Sequence, residues 1–98
     1  MISSADIQNC YNDMYKQLRK YIWDFSVVAA LADLEIAVYK KFQNMNDIKA
    51  RFYRLRSQIV EVLSKDGELK DSFDAFEELF KEDTIYVKIN QVEEVLQV

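Results

Sequence analysis

The sequence predicts an all-α fold, a small antiparallel bundle of three or four helices, and three observations carry that expectation. The 98 residues include no proline and a single glycine, Gly67, so backbone chemistry alone interrupts a helix at only one place. Apolar residues recur at spacings of three and four along most of the chain, the period of a helix face rather than of a strand. Half of the residues are apolar and 31% are charged, a balance that builds a core instead of a disordered chain. This length suits one domain. We expect residues 1–83 to form its helical core and residues 84–98 a tail segment.

The first helix has Ser3 or Ser4 as its cap, with Asp6 in the first turn where a negative charge suits the helix dipole. Its stripe runs Ile7, Tyr11, Met14, Leu18, Tyr21 and Phe25, and Ala29, Ala32, Ile36 and Tyr39 stay in phase with it. That coherence predicts one long helix over residues 4–43, about 60 Å at 1.5 Å per residue. Asp24 and Ser26 are both capping residues, so Asp24-Phe25-Ser26 is where such a rod would kink or break.

Residues 27–39 carry a second stripe, Val27, Leu31, Leu34 and Val38, opposite Ala29, Ala32 and Ile36. A helix apolar on both sides must be covered on both sides, either sandwiched inside its own bundle or shared with another chain. Trp23 falls off the main stripe and is a candidate anchor at its edge. The expected partner-binding residues are therefore Trp23, Val27, Leu31, Leu34 and Val38.

A polar turn over residues 44–47 ends this segment, with Asn46 expected to cap the next helix. Its seam, Met45, Ile48, Phe52, Leu55, Ile59 and Val62, steps three and four and stops at Lys65-Asp66-Gly67. Gly67 is expected to take the left-handed position past the helix end. The following helix shows Leu69, Phe73, Phe76 and Phe80, with Leu79 beside them. The acids Asp71, Asp74, Glu77, Glu78 and Glu82 lie off that stripe. Seven Lys and Arg face two acids from Lys40 to Lys65, and seven acids face two lysines from Gly67 to Asp83. Such a switch favours a hairpin of these two helices. The β-branched run of residues 84–89 predicts an extended stretch, followed by a short helix opened by Asn90. Ile85, Ile89, Val92 and Leu96 would also suit one continuous helix.

The chemistry a chain can perform is narrowed by what it lacks. Without histidine there is no ordinary general base and no serine–histidine or cysteine–histidine pair. With one glycine, no phosphate-cradling loop can be built. Residues 66–74 have the composition of a calcium loop, but the glycine stands second rather than sixth and the ligand spacing fails. The expectation is a non-enzyme without metal or cofactor.

The net charge of −4 repels nucleic acid and anionic membrane. Lys49, Arg51, Arg54 and Arg56, interleaved with Phe52 and Tyr53, come nearest to a nucleic-acid signal, but they spread over more than one side of the helix. The apolar run from Phe25 to Tyr39 is too short and too charged to span a bilayer. Cys10 has no second cysteine to pair with, and the opening residues lack a secretory pattern. The expectation is a reducing, cytoplasmic setting.

The function expected is a helical protein–protein interaction module, a small subunit or adaptor in a homo-oligomer or a larger assembly. The alternative is a small acidic inhibitor, in which Asp71, Asp74, Glu77, Glu78 and Glu82 mimic nucleic-acid charge toward a basic protein. A nucleic-acid-binding helical protein ranks below both.

Overall fold

Among the described residues, side-chain hydrogen bonds open four of the five helices and close two of them. The computed structural model describes the backbone of residues 2–96 and the side chains of residues 2–81. Among the described residues there are five helices, α1 (Ser4–Leu18), α2 (Phe25–Val38), α3 (Met45–Gln58), α4 (Val60–Lys65) and α5 (Gly67–Leu96), and no strand. The fold is an all-α bundle, as predicted.

Four of the helices open on a capping oxygen. Ser3 Oγ accepts the Asp6 N–H at 3.1 Å while Asp6 Oδ2 accepts the Ser3 N–H at 3.2 Å, a reciprocal box at the head of α1. Asp24 Oδ1 accepts the Val27 N–H at 3.1 Å, Asn44 Oδ1 the Asp47 N–H at 3.1 Å, and Asp66 Oδ1 the Leu69 N–H at 3.1 Å. The cap of α3 is thus Asn44, not Asn46. Asn44 has the extended backbone a cap requires, whereas Asn46 lies inside the helix.

The helix ends use a second device. Trp23 Nε1 donates to the Leu18 carbonyl at 2.8 Å, and Gln43 Nε2 donates to the Val38 carbonyl at 2.6 Å. Each side chain reaches back five residues to the last residue of the preceding helix, and so satisfies a carbonyl that has no partner within it. The predicted 4–43 rod is broken here. Residues 19–24 leave the helix, with Tyr21 N–H turning back to the Leu18 carbonyl at 3.1 Å, and Asp24 begins a new helix.

Gly67 departs from expectation too. It is the first residue of α5 and has no positive φ, because Asp66 alone joins α4 to α5 and caps the latter. The predicted third helix, in turn, divides at Ile59, whose φ of −124° and ψ of 22° separate α3 from α4. The break turns the seam by one position. Ile48, Phe52, Leu55 and Ile59 are buried as predicted, but Leu63 then takes the buried place expected of Val62.

The segment 84–89, expected to be extended, continues as helix within α5. A strand needs an edge to pair with, and none exists among the described residues, whereas the spacing of Ile85, Ile89, Val92 and Leu96 already fits a helix.

The helices α1 and α5 pack together, as do α2 and α3, and contacts of α1 with α2 and of α3 with α5 join the pairs. The core holds Ile7, Tyr11, Met14 and Leu18 from α1 and Leu69, Phe73, Phe76, Leu79 and Phe80 from α5. Phe52 is its aromatic centre, stacked on Phe76 with centroids 4.9 Å apart and flanked by Phe73 at 5.6 Å and Phe80 at 5.4 Å.

Candidate protein-interaction surface

Helix α2 is apolar on two opposite sides, and the bundle buries only one of them. The buried side comprises Val27, Ala30, Leu34, Ala37 and Val38, with the two alanines letting neighbouring helices approach closely. The other side carries Phe25, Val28, Ala32, Ile36 and Tyr39 at steps of three, four, four and three. These side chains face solvent: Phe25 is 86% exposed, Ile36 59%, Val28 50% and Tyr39 47%. Just outside the two helix ends stand Ile22, fully exposed, and Phe42, 82% exposed.

The residues expected to bind a partner are divided by this arrangement. Val27, Leu34 and Val38 lie in the chain's own core, and so are not presented to another molecule. Leu31 and Trp23 are half-buried and pack against that core. Both line a groove of about 310 Å³ between the end of α1 and α2, together with Tyr15, Arg19, Val28 and Glu35 among others. The solvent-facing apolar stripe is therefore the opposite one, with Trp23 and Leu31 beside it in the groove. The two stripes look alike in sequence. Only the restart at Asp24 distinguishes them, because six non-helical residues cancel the phase that would otherwise align Ala29, Ala32 and Ile36 with the core of α1.

Side-chain contacts tie the ends of this face to α1. Tyr39 Oη donates to Asn12 Oδ1 at 2.8 Å, and its ring meets that of Tyr11 edge to face at 5.9 Å. Trp23 lies 5.3 Å from the Tyr21 ring and its indole N–H is spent on Leu18. At the head of α2, the hydroxyl of Ser26 and the N–H of Val27 hold the Asp24 carboxyl below the usual carboxylate range.

No known protein family, curated protein or solved structure matches this chain. Its surfaces carry the functional argument.

The charged faces are largely engaged within the molecule. Asp33 of α2 meets Arg51 at 3.9 Å and Arg54 at 3.5 Å, and Arg51 also holds Asp47 at 2.9 Å. The bond to Asp47 raises the Arg51 guanidinium further. Arg56 stands 3.9 Å from Glu77, which also accepts the Tyr53 hydroxyl at 3.2 Å. Burial first, then Glu77, pushes the Tyr53 phenol up. Asp74 pairs with Lys70 at 2.8 Å and Glu78 with Lys81 at 3.2 Å, which raises both ammonium groups. Asp71 is exposed, and the side chain of Glu82 lies outside the described residues. Thus three of the candidate basic residues and three of the candidate acids already have internal partners. Among the described residues no group of His, Cys, Asp and Glu could hold a metal ion, and no helix is long and apolar enough to cross a membrane.

Proposed function

We propose that this chain is a non-enzymatic helical module that works by binding protein, as a small subunit or adaptor of an assembly, through the solvent-facing apolar side of α2. One observation carries the reading: Phe25, Val28, Ile36 and Tyr39 form a continuous exposed apolar stripe on a helix whose other side is core. Water does not favour such a stripe, and soluble chains rarely keep large apolar patches uncovered unless something binds there. The aromatic residues at its ends and the groove beside it are what a partner's anchoring side chains use.

The acidic-decoy reading is weaker for a physical reason. A decoy must offer unspent charge, and Asp74, Glu77 and Glu78 each spend theirs on a neighbouring cation.

The test is a pair of charge insertions, Phe25→Glu and Ile36→Glu. Both positions are solvent-facing, so circular dichroism and thermal stability should stay near wild type while association is lost. Association that survives both substitutions in a folded chain would exclude this face.

A further inference from the structure

The exposed stripe of α2 is symmetric about its own centre. Counting from Ala32, the β-branched aliphatic residues Val28 and Ile36 stand four positions away on either side, and the aromatics Phe25 and Tyr39 stand seven away. Ile22 and Phe42, the bulky exposed residues beyond the helix ends, stand ten away. The smallest side chain lies at the middle, where two helices laid across each other come closest.

We infer that the occupant of this face is a second copy of the chain, paired with α2 antiparallel to α2 about a two-fold axis at Ala32. This rests on the proposed function and names its partner. A two-fold interface must be self-complementary, each patch meeting itself in reverse. Read in reverse, this stripe matches itself: Phe25 meets the layer of the other copy's Tyr39, Val28 that of Ile36, and Ala32 meets Ala32.

Charge selects the antiparallel arrangement over the parallel one. Asp24 begins α2, and Lys40 and Lys41 follow its end. Antiparallel pairing sets the acidic end of each helix beside the basic end of the other and opposes the two helix dipoles, whereas parallel pairing sets like charges together. The two copies of Glu35 would stand about 9 Å apart along the pair at 1.5 Å per residue, a separation that physiological salt largely screens.

The area is adequate. Taking about 150–250 Å² for a fully exposed aromatic side chain, the stripe itself offers on the order of 500 Å² per copy. A pair that also covered Ile22 and Phe42, exposed beyond the two ends of α2, would bury roughly 800 Å² per copy, which is what each partner contributes to a stable pair of standard size.

The experiment combines mass with register. Sedimentation of the full chain from about 1 to 100 µM, the range of a modest interface, should show a shift from 11.6 kDa toward twice that mass. Ile36→Glu should hold the chain at the monomer mass with unchanged circular dichroism. In a Cys10→Ser background, a short bismaleimide should link an equimolar mixture of Val28→Cys and Ile36→Cys chains, and link Val28→Cys chains alone far less.

A dimer that is lost with Ile36→Glu but links Val28→Cys to itself best overturns the antiparallel register and leaves the face as the interaction site. A wild-type chain that stays monomeric throughout the range overturns self-pairing. The reading of the face is then decided separately, by whether Ile36→Glu abolishes binding to a heterologous protein. A dimer indifferent to Ile36→Glu overturns both.

Discussion

The hydroxyl of Tyr21 donates to Asp66 Oδ2, while Oδ1 of the same carboxylate accepts the Leu69 N–H at 3.1 Å. One side chain thereby caps α5 and ties the α4–α5 junction to the connection between α1 and α2, 45 positions away in sequence. Lys20 adds an ion pair to it at 3.5 Å. The connection that separates α1 from α2, and so determines which side of α2 is exposed, is anchored at this carboxylate.

Stability should depend on pH through this anchor. The Tyr21 hydrogen bond first, and the Leu69 N–H second, hold the Asp66 carboxyl below its ordinary value of 3.8. A depressed folded pKa means that the contribution is present above 3.8 and is lost as pH falls through the lower folded value. The same bond raises the Tyr21 phenol, whose contribution is present below its ordinary value of 10.0 and lost as pH rises through the higher folded one. Asp66→Ala should therefore melt below wild type at neutral pH, with the gap closing in acid. Tyr21→Phe should show a smaller gap that also closes in strong alkali. Melting curves across pH check both; a gap constant with pH would refute the assignment.

Tyr11 separates ring from hydroxyl. Its ring is buried between Tyr15 and Tyr39, and its Oη is buried without a hydrogen-bond partner among the described residues. Burial raises this phenol strongly, with Glu35 adding to the effect. Tyr11→Phe removes a polar atom that gains nothing from the interior, and should leave stability equal or higher. Tyr11→Ala empties the site and should cost about 3–5 kcal/mol, the range for buried aromatics. Chemical denaturation of both variants checks this pair.

Gly67 offers a gain. It starts α5 with no positive φ, and an added Cβ meets nothing within 4 Å. Gly67→Ala should stabilise the chain by about 0.4–1 kcal/mol, chiefly by restricting the unfolded state. A loss of stability in the same denaturation assay would mean that the junction needs glycine after all.

The ion pairs of Asp33 with Arg51 and Arg54 link α2 to α3 at a wet surface. Asp33→Asn should lower the melting temperature modestly at low salt and by less at high salt, because exposed pairs are screened. A salt-independent loss would point instead to a packing role for this side chain.

The core was legible because its spacing and its chemistry agree. Ile48, Phe52 and Leu55, and then Leu69, Phe73, Phe76 and Phe80, step three and four with charged residues on the far side, and all seven are buried. The restart of the helix at Asp24 was legible from its capping side chain, but the early exit after Leu18 was not, because it is made by tertiary choices: the Trp23 indole on the Leu18 carbonyl, and Tyr21 on Asp66. Neither is a glycine or a proline. The candidate surface followed the same logic. That α2 has two apolar sides could be read directly, but which side faces solvent depends on the rotation reset by that break.

Among the described residues none has a positive φ, and every peptide bond is trans. The turns rest on side-chain oxygens and on the donors of Trp23 and Gln43 instead of on backbone shapes that only glycine adopts. Conformation therefore reserves no position for a particular residue type, and a capping Asp, Asn or Ser can stand in for another at little cost. In descent, such a chain is free to change most of its letters while keeping its shape. Its lineage should be sought in the rhythm of caps and buried positions, where one Asx or Ser opens each long helix, more than in residue-by-residue identity.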